Sequence, residues 1–150
     1  MTKLRSLVFT ALMLCAVSAA QADPAITDQK AAKQLLGKHA LTLQWLGSGT
    51  LRDAGAAEVK EDSGDWRLTG RMDAEQGFVT IDGIVTAIGK TTFTFKGKVV
   101  TRVSFIYDGQ DCAREGEYTF ERKGARKYWR MYPIDNPCDI AADYVDIYLR

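Results

Sequence analysis

The sequence predicts an all-β protein. The expected form is an antiparallel up-and-down meander of about eight strands that closes into a small barrel or strongly curved sheet, with one short N-terminal helix. Three observations predict it. From His39 onward apolar and polar residues alternate with a period of two, the spacing at which successive strand side chains point to opposite faces. Gly and Asp turn signals interrupt that alternation roughly every ten residues. One segment alone carries the spacing and caps of a helix. Links this short favour antiparallel pairing of consecutive strands. A flat sheet of that size would leave two edges and an uncovered face, and closure removes the edges. A two-sheet β-sandwich is the alternative.

The chain opens with MTKLRSLVFTALMLCAVSAAQAD, in which Lys3 and Arg5 precede an apolar stretch from Leu7 to Val17 and Ala20-Gln21-Ala22 offers an A-x-A cleavage site. This predicts a signal peptide over residues 1–22, removed on export to the periplasm or the medium. The apolar run is short of the ~20 residues that span a bilayer. Leu14 before Cys15 is too large for a lipidation site. One domain is expected over residues 23–150. Its helix lies near residues 28–36, with Asp28 as the capping residue, Gly37 at the end, and Ala31, Ala32, Leu35 and Leu36 on the apolar side.

Strands follow in order. Leu41, Leu43 and Trp45 alternate with polar or small neighbours, and Asp62-Ser-Gly-Asp65 turns the chain before Trp66 and Leu68. Val79, Ile81 and Val85 form the next apolar face; Phe93 and Phe95 follow, then Lys96-Gly97-Lys98. Val99, Val103 and Phe105 share a face, and Asp108-Gly109 is a hairpin signal. Tyr118 and Phe120, then Trp129 and Met131, then Val145, Ile147 and Leu149 complete the set. A transmembrane barrel does not fit strands this short with charges on the faces lipid would touch.

Composition excludes several function classes. All 19 acidic residues and all but two of the 20 basic ones follow the leader, so the mature chain carries a formal charge of −1. Neither nucleic acid nor an anionic membrane is an expected partner. His39 is the single histidine, which argues against a histidine-based metal site or a Ser-His-Asp triad, and no cofactor is expected. Gly47-Ser48-Gly49 lacks the lysine and helix of a phosphate loop. Cys112 and Cys138, the two cysteines beyond the leader, are expected to form a disulfide, because an exported chain favours the bond and no C-x-x-C suggests metal or redox work.

Two resemblances bear on the fold. A short helix followed by Gly37-Lys-His39-Ala-Leu-Thr-Leu-Gln-Trp45 resembles the opening of lipocalin-like proteins, although the Gly and Trp of that motif stand two apart and here Trp45 comes six residues after His39. It implies an up-and-down barrel around a small apolar ligand. The C-terminal half resembles a group of small exported bacterial β-rich proteins of uncharacterised function. The residues that carry it are Val100-Thr-Arg-Val-Ser104, Cys112-Ala-Arg-Glu-Gly116, Lys127-Tyr-Trp-Arg130, Asn136-Pro-Cys138 and Asp143-Tyr-Val-Asp-Ile-Tyr148. That resemblance brings no activity with it.

The candidate binding residues come from strand phase. Tyr128, Arg130 and Tyr132 share one face of their strand, and Tyr144, Asp146, Tyr148 and Arg150 share one face of theirs. If the two strands pair, an aromatic and ionic ladder results. As ordinary cross-strand neighbours such residues stabilise a sheet by ~0.2–1 kcal/mol per pair; facing a groove, they suit recognition of a polar or aromatic ligand, since arginine stacks on rings and forks onto carboxylates. Arg102 and Arg114 join Tyr128, Arg130, Tyr144, Asp146 and Tyr148 in this candidate set. Arg102 reads as a solvent-side residue or as the buried partner of a carboxylate such as Glu117. Glu115 and Glu117 share a strand face but lack the apolar setting that splits the roles of a catalytic pair, and no catalytic residue is assigned. The expected role is a monomeric, non-enzymatic binding module for a small ligand or an envelope protein. The alternative is an inhibitor or partner of a secreted enzyme, acting through the loop Pro133-Ile-Asp-Asn-Pro-Cys138. A ligand cavity would call for inward-facing small residues such as Gly70, Gly83 and Gly116; an inhibitor would have a filled core.

Overall fold

The computed structural model describes residues 23–149. The expected leader over residues 1–22 and Arg150 lie outside the described residues. The elements are β1 (Ala25–Ile26), α1 (Gln29–Leu35), β2 (Gly37–Leu43), β3 (Gly55–Asp62), β4 (Asp65–Ala74), β5 (Gly77–Ile88), β6 (Thr92–Val103), β7 (Cys112–Glu121), β8 (Tyr128–Tyr132) and β9 (Val145–Tyr148). Strands β2 to β9 pair in sequence order, each antiparallel to the next, and β9 pairs back onto β2 through Leu41 opposite Ile147. The sheet is therefore a closed eight-stranded meander, and the sandwich alternative falls. The extra strand β1 runs parallel to the end of β5, where Ala25 faces Ala87, beyond the last β4 partner at Ile84.

Local sequence explains most boundaries. Asp28 caps α1 with its side chain, accepting from the Ala31 amide at 2.8 Å. Ala31, Ala32 and Leu35 are buried, so the helix plugs the end of the barrel where β2 begins and β9 finishes. His39 ties that plug down. Its ring nitrogens lie 2.7 Å from the Leu35 carbonyl oxygen and 2.9 Å from that of Tyr148. Between β3 and β4, Ser63 and Gly64 both take positive φ (53° and 93°), the two-residue turn whose twist matches a hairpin.

Three features depart from the alternation. Lys96-Gly97-Lys98 does not interrupt the chain: β6 runs through it, with Gly83, Gly97 and Gly116 side by side in register on β5, β6 and β7. A Cβ at Gly83 or Gly97 would come within 2.6 Å of the Phe95 ring, so glycine lets this aromatic lie flat across the strands. Asp108-Gly109 does not make a tight hairpin, because Tyr107, Asp108 and Gly109 all have positive φ within a longer loop over residues 104–111. Phe105 leaves the inward phase at the end of β6 and is 63% exposed.

The barrel interior is filled. Phe93, Phe95, Phe120, Leu41, Leu68 and Met131 are among its fully buried side chains. Phe93 stacks on Phe120 at 4.7 Å, while Phe95 meets Phe120 edge-on at 6.1 Å and Trp129 meets Phe93 at 5.7 Å. Ala57 and Ile81 close over Gly70, and the Tyr118 hydroxyl lies 3.8 Å from where a Gly116 Cβ would stand.

At the end opposite α1, four connections are hydrogen-bonded in a ring. The Gly47 amide of loop 44–54 donates to Gln76 in the β4–β5 turn, whose carbonyl oxygen accepts from Ser104 of loop 104–111. The Tyr107 amide donates to Asp139 of loop 133–144, and Gln44 and Trp45 donate back to the Ala142 carbonyl oxygen. Donation from the Tyr107 amide, with help from Ile140, holds the Asp139 carboxyl below its ordinary value. A carboxyl depressed in the folded state stabilises above its unfolded value, and that contribution is lost as pH falls through the folded one. Acidification below the usual carboxylate range should therefore loosen loop 133–144 from loop 104–111, visible as faster hydrogen exchange at Tyr107 and Ile140.

Candidate functional site

The candidate face is built by three adjacent strands. β8 and β9 pair with Tyr128 opposite Tyr148 and Arg130 opposite Asp146, and on the other side Asp146 faces Thr42 of β2. Alternation sends Trp129, Met131, Val145 and Ile147 into the core and leaves the tyrosines and Arg130 on the outer face, with Asp146 in the same phase but buried.

Arg130 is the centre of this face. Its Nε and Nη2 donate to the two carboxylate oxygens of Asp146 at 2.8 and 2.7 Å. Its guanidinium lies 3.9 Å above the Tyr144 ring and 5.2 Å from that of Tyr128. Tyr128 and Tyr148 rings sit 5.1 Å apart. The hydrogen bonds from Arg130 to Asp146 raise the guanidinium above its already high ordinary value, and burial raises the Tyr148 hydroxyl. The guanidinium stays charged and the Tyr148 hydroxyl stays neutral across the physiological range. Arg130→Lys would keep the charge but lose the fork and the stacking plane; urea denaturation should show a loss of about 1 kcal/mol, with little change for Tyr132→Phe at the edge.

Loop 44–54 overhangs this face. Gln44 and Trp45 anchor it, and the Gln44 side-chain oxygen accepts from the Tyr144 amide at 2.7 Å. A cleft of about 170 Å³ remains, lined by Thr42, Gly49, Thr50, Tyr128, Arg130 and Tyr148. Thr42, Gln44 and Thr50 were not among the candidates from sequence. The sign available for them was modest: Thr42 and Gln44 are the polar members of the first alternating run.

The other two candidates stand apart. Arg102 lies on the outer face of β6, half exposed, where it donates to Asp111 at 2.6 Å and lies over the Phe78 ring; Glu117 is not its partner. Arg114 points inward. Its side chain is 7% exposed and its Nη2 donates to Asp143 at 2.8 Å. Asn136 also donates to Asp143, and the Cys112–Cys138 disulfide lies alongside. Glu115 and Glu117 are exposed, opposite Lys98 and Lys96 on β6. A larger concavity of about 760 Å³ runs over the outer faces of β2 to β6. Its floor is Ala56, Thr69, Gly70 and Val100, and Arg67–Asp82 and Arg71–Asp73 pair around it as on a solvated sheet. Among the described residues, no helix is long and apolar enough to cross a membrane, and no three His, Cys, Asp or Glu side chains are grouped to hold a metal ion.

Residues 23–149 match the model of the PM1083 family. The chain belongs to that family. A curated relative, "Uncharacterized protein PM1083" from Pasteurella multocida (strain Pm70), is 33% identical over 138 residues, covering 90% of this chain and 88% of the relative. No solved structure matches. Membership of the PM1083 family agrees with the resemblance to small β-rich proteins of uncharacterised function; the likeness to lipocalins finds no support in these matches.

Proposed function

We propose that this PM1083-family chain is an exported, non-enzymatic binding module that recognises another envelope component with the outside of its barrel. The observation that carries this reading is the filled interior: Phe93, Phe95 and Phe120 occupy the space where a lipocalin-like ligand would sit. Recognition then falls to the surface, and the face of Tyr128, Arg130, Tyr144, Asp146 and Tyr148 offers flat rings, hydroxyls and a held charge beside an open cleft. A second reading, an inhibitor or partner of a secreted enzyme, fits the filled core equally and draws further support from loop 133–138. Asn136 and the disulfide fasten it from within while Pro133, Asp135 and Pro137 stay exposed, so little order is lost on docking.

Native mass spectrometry of the chain expressed with its leader and recovered from the periplasm tests the reading. The expected species begins at Asp23, weighs two hydrogens less than the reduced chain and carries no adduct. An adduct shed on gentle activation would overturn surface recognition in favour of a retained small ligand. An unprocessed N-terminus would overturn export.

A further inference from the structure

The ring of loops opposite α1 has a second property. Among the described residues, the large hydrophobic side chains left exposed are Leu51, Phe105, Tyr107 and Ile140, at 55%, 63%, 37% and 105%. All four stand on three of the tied loops, and none on the outer faces of the strands. Scattered exposed apolar residues need no explanation, but their confinement to one end of a barrel does. The positions are also held in place. Phe105 packs edge-on against Trp45, and Asp139 takes the amides of both Tyr107 and Ile140, so the tips are presented on a rim already ordered before any partner arrives.

The charge around these tips is predominantly acidic. Across residues 44–54, 75–76, 104–111 and 133–144, Arg52 is the single cation. Asp111 and Asp143 are neutralised by Arg102 and Arg114. Asp53, Glu75, Asp108, Asp135 and Asp139 remain without an arginine or lysine partner among the described residues. Apolar anchors inside an acidic rim are complementary to an apolar socket with a basic border. An anionic leaflet would repel the same carboxylates.

We propose that the loop end of the barrel is a docking surface for a protein partner whose binding site is an apolar socket rimmed by lysine and arginine. The anchors are Leu51, Phe105, Tyr107 and Ile140, and the acidic rim steers the encounter. This assignment rests on surface recognition as the mode of action and gives its partner a chemistry.

The test uses the oxidised chain over residues 23–150, labelled with ¹⁵N, and three defined probes: a peptide alternating Leu and Lys, its Leu and Glu counterpart, and vesicles of phosphatidylglycerol. The Leu/Lys peptide should shift the amides of the four loops and bind more weakly as salt is raised. The exposed double variant Phe105→Ser/Ile140→Ser should weaken it by roughly tenfold, the scale of losing central anchors. A second variant, Glu75→Gln/Asp108→Asn/Asp135→Asn, touches no packed group and should flatten the salt dependence. Three results would each overturn the assignment: shifts centred on Tyr128 and Tyr148 or on the β2–β6 face, affinity unchanged in both variants, or binding to the vesicles in place of the Leu/Lys peptide. A clean mass with any of these leaves surface recognition standing and removes the loop end alone; a retained small molecule removes the reading beneath it.

Discussion

Asp143→Ala should lower the stability of the barrel by about 3–5 kcal/mol in urea denaturation of the oxidised chain. Asp143 is fully buried, just before β9. One of its oxygens accepts from Arg114 at 2.8 Å and Asn136 at 3.1 Å, with Thr101 farther off at 3.4 Å. Truncation would leave the Arg114 guanidinium inside the barrel with only the Asp135 carbonyl oxygen at 2.9 Å to meet it. An uncompensated buried charge is far more costly than the pair was favourable. The network is not fully satisfied even in the intact chain, because Arg114 Nε and Asp143 Oδ1 lack protein partners. Replacing both ends with apolar groups, Arg114→Met/Asp143→Leu, should therefore recover most of the loss. A single variant as stable as the parent would show that water reaches the site and screens the arginine.

How this network escaped the sequence, while the fold did not, has a physical explanation. Phase alone places Arg114 inside, in step with Cys112, Tyr118 and Phe120 on β7, but an arginine is read as solvent-facing unless its counter-charge is visible. That counter-charge lies 29 residues away in an irregular loop, where no period operates. The tyrosine and arginine face was legible because the residues of β8 and β9 alternate between apolar and polar or aromatic, although Asp146 itself is buried. Strand β3 was not, since its buried members Ala57 and Val59 are small and Ala56 blurs the contrast. It was offset by β6, whose two alternating runs are one strand joined through Gly97. The strand number came out near eight because the missed β3 and the doubled β6 cancel, not because each strand announced itself. The acidic loop end was missed for a different reason: its residues come from four separate connections, and only barrel closure brings them together.

The second large effect acts through the unfolded chain. Cys112→Ala/Cys138→Ala opens a loop of sequence separation 26, which should remove about 3.5 kcal/mol in the chain-entropy account. For a domain of this size that corresponds to a fall in Tm of roughly 10 °C. Against the ~5–15 kcal/mol typical of a native domain, the barrel should remain folded but marginal. The parent chain under reducing conditions should match the variant, and equal Tm values for oxidised and reduced parent would sink the argument. The two predictions separate by where the loss resides. Asp143→Ala damages the native network, so protection of the amides in loop 133–144 should fall well before global unfolding. Removing the disulfide enlarges the unfolded ensemble, so strands far from the bond, such as β4 and β5, should lose protection in step with global stability. Asn136 still accepts from the Cys138 amide and donates to Asp143 without needing the sulfur bond. The loop rim should accordingly keep its shape in the cysteine-free chain, and its affinity for the Leu/Lys peptide should change less than its stability.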